Sequence, residues 1–154
     1  MLIYLLWTEM KMATLSEAAK DIVHSYARVK LEDHVLIITD VHTGVIASVV
    51  AQQAKLITHV DDFGRQFRPT VQVAYLEYFD PKRAPEHPLQ FPSTLEREID
   101  SSSVCLYLAR LTDSEFYDTV TALDRKTGVR VVAFDNLDLH SIESGSYRPF
   151  LNNS

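Results

Sequence analysis

The chain has 154 residues, of which 46% are hydrophobic and 23% are charged, and its formal net charge is -6. This length and composition exclude a disordered chain and suit one domain whose core needs no metal or disulfide to hold it together. The basic residues form no cluster or stripe, which argues against a nucleic-acid backbone as a partner.

The first twelve residues come before the first clear structural pattern. The run Met1–Trp7 is apolar, but no basic segment precedes it and no small-residue cleavage site follows it, so it does not match a signal peptide. We expect residues 1–12 to be a loosely attached leader, most of which translation from Met12 would leave out. A short added strand or a packing arm is the alternative. Because a membrane span needs ~20 apolar residues and no run is that long, we predict no membrane partner.

The single cysteine, Cys105, lies inside the apolar run Val104–Leu108. A cysteine in such a run behaves as a small buried hydrophobic residue. One cysteine rules out an intrachain disulfide and suits a reducing compartment. Together with the lack of a membrane span, this predicts a cytoplasmic protein.

Helical and strand patterns alternate along the rest of the chain. The run His34–Asp40, for example, is continuously apolar and β-branched, which is typical of a strand covered on both faces. The predicted elements, in chain order, are helix 14–29, strand 34–40, a helix 43–58 capped by Thr43, strand 71–79, a helix from 93, strand 104–109, a helix from 112 to Gly128, strand 129–134 and helix 138–144. The segments predicted to be irregular are 59–69, the proline-rich 80–92 and a polar tail, 147–154.

Helical connections between successive strands require parallel pairing, and right-handed crossovers then place helices on both faces of the sheet. We therefore predict an α/β domain over residues 13–146, a three-layer Rossmann-like or flavodoxin-like fold with a mainly parallel sheet of about four strands. In open sheets of this kind, ligands bind beyond the carboxyl ends of the strands.

The polar residues at those strand ends do not make a complete catalytic site. The first turn offers only Gly44 where a phosphate cradle needs several glycines, so we predict no nucleotide cofactor. His42 near Asp40, and His59 near Asp61 and Asp62, are suitable ligand types. Three or four ligands must converge on a metal, however, and neither group has the i, i+4 histidine spacing of helical zinc sites, so we predict no metal. The residues that remain as catalytic candidates, without assigned roles, are Asp40, His42, Thr43, Arg110 and Asp135.

Two segments together resemble a known family. They are Ala27–Asp40, a helix end, a turn and a strand closing on an aspartate, and Gly128–Asp138, a strand and loop followed by Ile142 and Gly145. They are similar to the N-terminal domain of the thermophilic-type metallo-aminopeptidases, the aminopeptidase T and S group often labelled leucyl aminopeptidase. The resemblance covers residues 13–146. The chain departs from the family pattern in the turn Leu31–Asp33, which replaces a Pro-Gly turn, and in the proline-rich segment.

The resemblance implies a peptide hydrolase family whose two-metal site belongs to a C-terminal domain built from Glu, His, Tyr and Asp residues. Two metals there would activate a water and stabilise the tetrahedral oxyanion. The similarity ends where that domain would begin, so it carries no metal ligand over to any position here. It implies a free-standing counterpart of the N-terminal domain, or a truncated gene product, that does not hydrolyse peptides alone.

Three hypotheses about function stay open at this point. The first is a non-catalytic homologue of the aminopeptidase N-terminal domain with a binding or assembly role, alongside a separately encoded catalytic domain. The second is a small-ligand or acyl-group enzyme that uses the five strand-end residues. The third is a homodimeric interaction module, a homo-oligomer whose contact surface is Met1–Trp7 or the tyrosine-rich strand 71–79.

Overall fold

A computed structural model describes residues 14–76, 93–110, 120–126, 128–135 and 137–153, without the side chains of Ser93 and Asp124. The predictions for the leader 1–12, for the proline-rich segment 80–92 and for the start of the helix at Thr112 lie outside these residues. Within them, no helix is both long enough and apolar enough to cross a membrane.

Strands and helices alternate as the sequence predicts. The strands are β1 (His34–Thr39), β2 (His59–Val60), β3 (Gln66–Phe67), β4 (Thr70–Tyr75), β5 (Val104–Tyr107), β6 (Arg130–Phe134) and β7 (Pro149–Asn152). The helices are α1 (residues 14–21, continued by a π-helical turn, Ile22–Tyr26), α2 (Gly44–Lys55), α3 (Ser93–Asp100) and α4 (Leu139–Ser144), with a 3-10 turn at Ala122–Arg125.

The main sheet has five strands in the order β4-β1-β5-β6-β7, and the first four of these are parallel. Side chains of α1, α2 and α4 pack with Val35 and Ile37 on one face. Leu95 and Ile99 of α3 pack with Leu36 on the other face. Successive side chains of β1 therefore pack into two different hydrophobic cores, because side chains along a strand point alternately to its two faces. The three-layer α/β prediction is confirmed.

The strand order defines where a ligand site belongs in this fold class. The chain runs from β1 to β4 on one side and then returns to β5 on the other side of β1. The point where the direction of winding reverses therefore lies between β1 and β5. Doubly wound sheets bind ligands in the crevice outside the carboxyl ends of the strands at this switch point.

The prediction of a tail over 147–154 is wrong, because Pro149–Asn152 form the fifth strand of the sheet. β7 pairs antiparallel with β6, after Gly145 ends α4 in the left-handed conformation and reverses the chain. Phe150 and Leu151 pack against the second core. The ring of Tyr147 lies 6.4 Å from that of Phe134, centroid to centroid. The segment is too short to show a periodic pattern in the sequence, so the strand could not be predicted. Its apolar residues nevertheless pack at the edge of the sheet.

Two further segments differ from the prediction. The segment 59–69, predicted to be irregular, contains the hairpin of β2 and β3. The Asp61 carboxylate closes its turn by accepting hydrogen bonds from the backbone N–H groups of Phe63 and Arg65. The helix predicted to end at Gly128 instead ends as a 3-10 turn at Arg125, although Gly128 does adopt the positive φ expected of it.

The amino ends of the parallel strands are joined by Asp33, which is 7% exposed. Its carboxylate accepts hydrogen bonds from Lys30 N at 2.7 Å and from the Ser103 hydroxyl at 2.9 Å. The Arg130 guanidinium completes the arrangement with an ion pair at 2.6 Å. One side chain thereby links the entrances to β1, β5 and β6.

Removal of the Tyr147 ring tests whether the last segment belongs to the fold. Tyr147→Ala loses ring contacts with Tyr26 and Phe134, and we expect the free energy of unfolding in urea to fall by about 2 kcal/mol or more. Tyr147→Phe keeps the ring and loses only the hydroxyl bond to Asp21, for which we expect a loss of about 1 kcal/mol. If the alanine variant were as stable as the wild type, the segment would be the predicted tail.

The same pair of proteins gives a pH test. Burial, together with the hydrogen bond to Asp21, raises the pKa of Tyr147 from 10.0 to about 12. A folded-state pKa above the unfolded one stabilises the fold at pH values below the unfolded pKa and less as the pH rises. The stability difference between the wild type and Tyr147→Phe should therefore shrink between pH 10 and about 12.

The thiol of Cys105 should be inert in the folded protein. Cys105 is fully buried, and burial raises its pKa to about 12, so little thiolate is present or accessible at neutral pH. We expect no reaction with a thiol reagent such as Ellman's reagent in native buffer, and one equivalent in guanidinium chloride. A fast stoichiometric reaction in native buffer would contradict the buried position in β5.

Candidate functional site

The carboxyl end of β1 is occupied by Asp40, whose side chain is buried. Its Oδ1 atom accepts hydrogen bonds from the backbone N–H groups of His42 at 2.9 Å and Thr43 at 3.1 Å. The Thr43 hydroxyl lies 3.2 Å from the same oxygen. The local sequence folds this way because an aspartate side chain readily accepts from the backbone two residues on and so makes a turn of its own.

Thr43 occupies the N-cap position of α2, as predicted, but its side chain makes no capping hydrogen bond there. Its hydroxyl instead lies 2.7 Å from the hydroxyl of Thr39, at the end of β1. The buried Thr43 side chain therefore binds the turn back to its own strand. The Thr43 hydroxyl, at the start of α2, therefore has its hydrogen-bonding partners within the chain.

The other Asp40 oxygen reaches across the switch point. Oδ2 accepts the backbone N–H of Arg110 at 2.8 Å, just beyond the end of β5. Nearby, Leu108 N donates to the carbonyl of Ile38 at 2.8 Å and extends the pairing of the two strands. A single carboxylate thus joins the two loops that border the crevice of a doubly wound sheet.

The five sequence candidates are only partly brought together. Asp40 and Thr43 are in contact through their side chains, while His42 and Arg110 contribute backbone N–H groups. The side chains of His42, Arg110 and Asp135 are exposed. Among the residues that the structure describes, none of these three side chains forms a hydrogen bond with another candidate.

Tyr75 is a neighbour of this site that the sequence prediction missed. It is the last residue of β4, and its hydroxyl lies 3.1 Å from the position a Cβ atom would take at Gly44. A Cβ atom at position 44 would therefore require the Tyr75 side chain to shift slightly. The signal was available in principle, because Tyr75 ends a strand whose register places it beside Thr39.

The hydrogen bonds of Asp40 limit the chemistry of the site. An ionised carboxylate accepts about four hydrogen bonds, and four donors of the chain itself already bind Asp40. A proton-accepting or ligand-binding role would require at least one of these bonds to break. The arrangement is that of a structural carboxylate which fixes two loops.

No family model, curated protein or solved structure matches this chain.

Polar residues also meet at the amino ends of the parallel strands, at the end of the sheet opposite to Asp40. They include a serine, a histidine and an aspartate, which are the residue types needed for nucleophilic catalysis. Ser103 donates its hydroxyl proton to Asp33 and accepts the backbone N–H of His34 at 2.8 Å. The ring Nδ1 of His34 instead lies 2.7 Å from the Thr70 hydroxyl. Because the histidine ring pairs with Thr70 and the serine pairs with the aspartate, this group lacks the serine–histidine hydrogen bond of a triad.

Asp61, one of the metal-ligand candidates from the sequence, is engaged in other interactions. Desolvation acts to raise the pKa of Asp61, but hydrogen bonds from Arg65 and Phe63 outweigh it and lower that pKa overall. The Arg65 guanidinium Nε lies 2.7 Å from its carboxylate. In the described part of the chain, no three His, Cys, Asp or Glu side chains are grouped so as to hold a metal ion.

Asp40→Asn is the variant that measures the structural role of this carboxylate. It replaces a charged acceptor by an amide whose NH2 group would face backbone N–H donors, so we expect the free energy of unfolding to fall by about 2–3 kcal/mol. Asp135→Asn makes the same chemical change at an exposed position on the same edge and should stay within about 0.5 kcal/mol of the wild type. Equal, small effects in urea denaturation would show that Asp40 does not fix the loops.

Proposed function

We propose that this chain is a non-catalytic α/β domain, related to the N-terminal domain of the metallo-aminopeptidases, with a binding or assembly role. The observation that supports it is the full use of Asp40 within the chain. At the position where a doubly wound sheet holds its ligand, this carboxylate ties the loop after β1 to the loop after β5.

The relation to the aminopeptidase family rests on the sequence resemblance of residues 27–40 and 128–138. In the fold, these segments supply β1 and β6, two parallel strands separated by β5. The ion pair between Asp33 and Arg130 joins them directly. The segments thus form one structural unit around the central strands, which is what a domain retained for assembly would keep.

This proposal implies one of two partners. The first is a separately encoded catalytic domain, and the alternative is a second copy of the chain. We propose a cytoplasmic location for this protein, because an unpaired buried thiol such as Cys105 suits a reducing compartment. Any hydrolase activity would belong to the assembled complex, in which the partner supplies the metal site.

A second candidate is a small-ligand or acyl-group enzyme that uses the carboxyl edge of the sheet. It is favoured by the convergence of Asp40, Thr43 and the backbone of Arg110 next to the hydroxyl of Tyr75. In this case a ligand would have to replace Arg110 N or His42 N as a partner of the Asp40 carboxylate. Exposed His42 would then be the nearest titratable side chain.

Turnover assays separate the two candidates. The chain is incubated with aminoacyl p-nitroanilides and with p-nitrophenyl acyl esters, each with Zn²⁺, with Co²⁺ and with a chelator. We expect product formation equal to that of the protein-free blank under all conditions, because four donors of the chain itself already bind the Asp40 carboxylate at the switch point.

The variants give the assay its controls. Ester hydrolysis by the wild type that is lost in His42→Ala and retained in His24→Ala, the same change at an exposed position of α1, would favour the small-ligand enzyme. Metal-dependent release of p-nitroaniline by this chain alone would contradict the non-catalytic proposal outright.

A further inference from the structure

A surface cleft of about 410 Å³ lies beside the entrance to β1, at the amino ends of the parallel strands. One wall is the turn that leads into β1, and the other is the β2–β3 hairpin with the residue that follows it. The residues that line the cleft are Leu31, Glu32, His59, Gln66, Phe67 and Arg68. Small-molecule sites usually measure ~300–1,000 Å³, so the cleft is large enough for one small ligand.

Asp33 holds the two walls of this cleft together. Its carboxylate accepts a hydrogen bond from Lys30 N at 2.7 Å, and its own N–H donates to the Lys30 carbonyl at 3.1 Å. These bonds close the turn that contains Glu32. The Asp33 carbonyl accepts the N–H of Thr70 at 3.0 Å, two residues after Arg68. The segments that carry Glu32 and Arg68 are therefore fixed to each other through one residue.

Glu32 and Arg68 are exposed and carry opposite charges. In the part of the chain that the structure describes, neither of these side chains forms a hydrogen bond or an ion pair. Asp61 of the hairpin differs in this respect, because it is paired with Arg65 at 2.7 Å. An anion and a cation that bind nothing else in the described chain thus line the same cleft.

The cleft also offers apolar surface. Phe67 is 44% exposed, and Leu31 is half-buried. Phe67 is directly opposite His59 in the hairpin, so the two rings lie on the same face of it. An apolar group that covers Phe67 removes this aromatic surface from water, which favours binding.

We propose that the cleft binds a free amino acid with an apolar or aromatic side chain, in its zwitterionic form. The Arg68 guanidinium binds the α-carboxylate, because its fork of N–H donors matches a carboxylate. The Glu32 carboxylate binds the α-ammonium group, and the ligand side chain packs on Phe67 and Leu31. This site goes beyond the proposed non-catalytic role, and it uses none of the residues around Asp40.

The size and the charge spacing of the cleft agree with this ligand. Phenylalanine occupies roughly 200 Å³ at the packing density of proteins, which is less than the volume of the cleft. Glu32 and Arg68 each come two residues before His34 and Thr70, the first pair of the β1–β4 ladder. Since neighbouring strands are about 4.8 Å apart, the two charges are carried by backbone segments that are close together. The charges of a dipeptide are about 3.8 Å farther apart than those of an amino acid and match this arrangement less well.

Titration of the isotope-labelled full chain with L-phenylalanine, followed by two-dimensional NMR, tests the site. We expect shifts of the backbone signals of residues 31–32 and 66–68, with a Kd on the order of 1 mM for a ligand of this size in an open cleft. Two analogues separate the charges, since hydrocinnamate lacks the ammonium group and phenethylamine lacks the carboxylate. Each should bind about two- to fivefold more weakly, because it keeps only one exposed ion pair.

Charge-removal variants assign each contact. Arg68→Gln should weaken L-phenylalanine binding about two- to fivefold and leave phenethylamine binding unchanged. Glu32→Gln should weaken L-phenylalanine binding by a similar factor and leave hydrocinnamate binding unchanged. Arg97→Gln removes the same charge as Arg68→Gln at an exposed position of α3, away from the lining of the cleft, and should bind all three ligands like the wild type.

The absence of shifts at these residues up to about 20 mM L-phenylalanine would overturn the proposal. Equal affinity of the wild type for all three ligands would also overturn it, because the cleft would then bind the aromatic ring without its charges. The spectrum of each variant without ligand shows whether it is folded. Turnover by the isolated chain would contradict the proposed function, whereas binding in the cleft is measured independently of activity.

Discussion

The two ends of the central strand β1 are each held by a buried carboxylate, and the arrangement of the neighbouring strands depends on this pair. Asp33 and Asp40 are both 7% exposed. A carboxylate in such a position is costly unless hydrogen bonds or a counter-charge compensate it. At the amino end, Asp33 has both, because Arg130 is within 2.6 Å. At the carboxyl end, the four donors of Asp40 are backbone N–H groups and a hydroxyl.

The contrast between the two aspartates explains why a familiar fold does not imply a familiar function. A doubly wound sheet offers a crevice between β1 and β5, and a polar residue at the end of β1 is well placed to bind what enters it. Here that residue bridges to Arg110 N and stabilises the loops instead. The fold creates the position, but the hydrogen bonds of the side chain decide its use.

The sequence predicted the parts of the fold that depend on local periodicity. The continuous apolar run of β1 and the short helix 138–144 are such cases, and the structure confirms both. It could not predict the partners of Asp40, since Arg110 is 70 residues away along the chain. The candidate list contained both residues because strand ends converge in parallel sheets, yet it missed that the contact of Arg110 is through its backbone. No side-chain pattern encodes such a contact.

The corrected position of the last segment changes which surfaces of the molecule are open. If residues 147–154 were a tail, β6 would be an edge strand whose last four residues, Val131–Phe134, are apolar and buried. β7 covers this strand by pairing with β6, and Pro149 and the irregular register then weaken β7 itself as a template. Among the described strands, this leaves β4 as the long, regular and uncharged edge. The side chains of β4 alternate, with Val71 and Val73 packed against one core and Gln72 exposed. At the carboxyl ends of the strands, by contrast, four donors of the chain itself bind Asp40, so a ligand of this carboxylate would have to displace one of them.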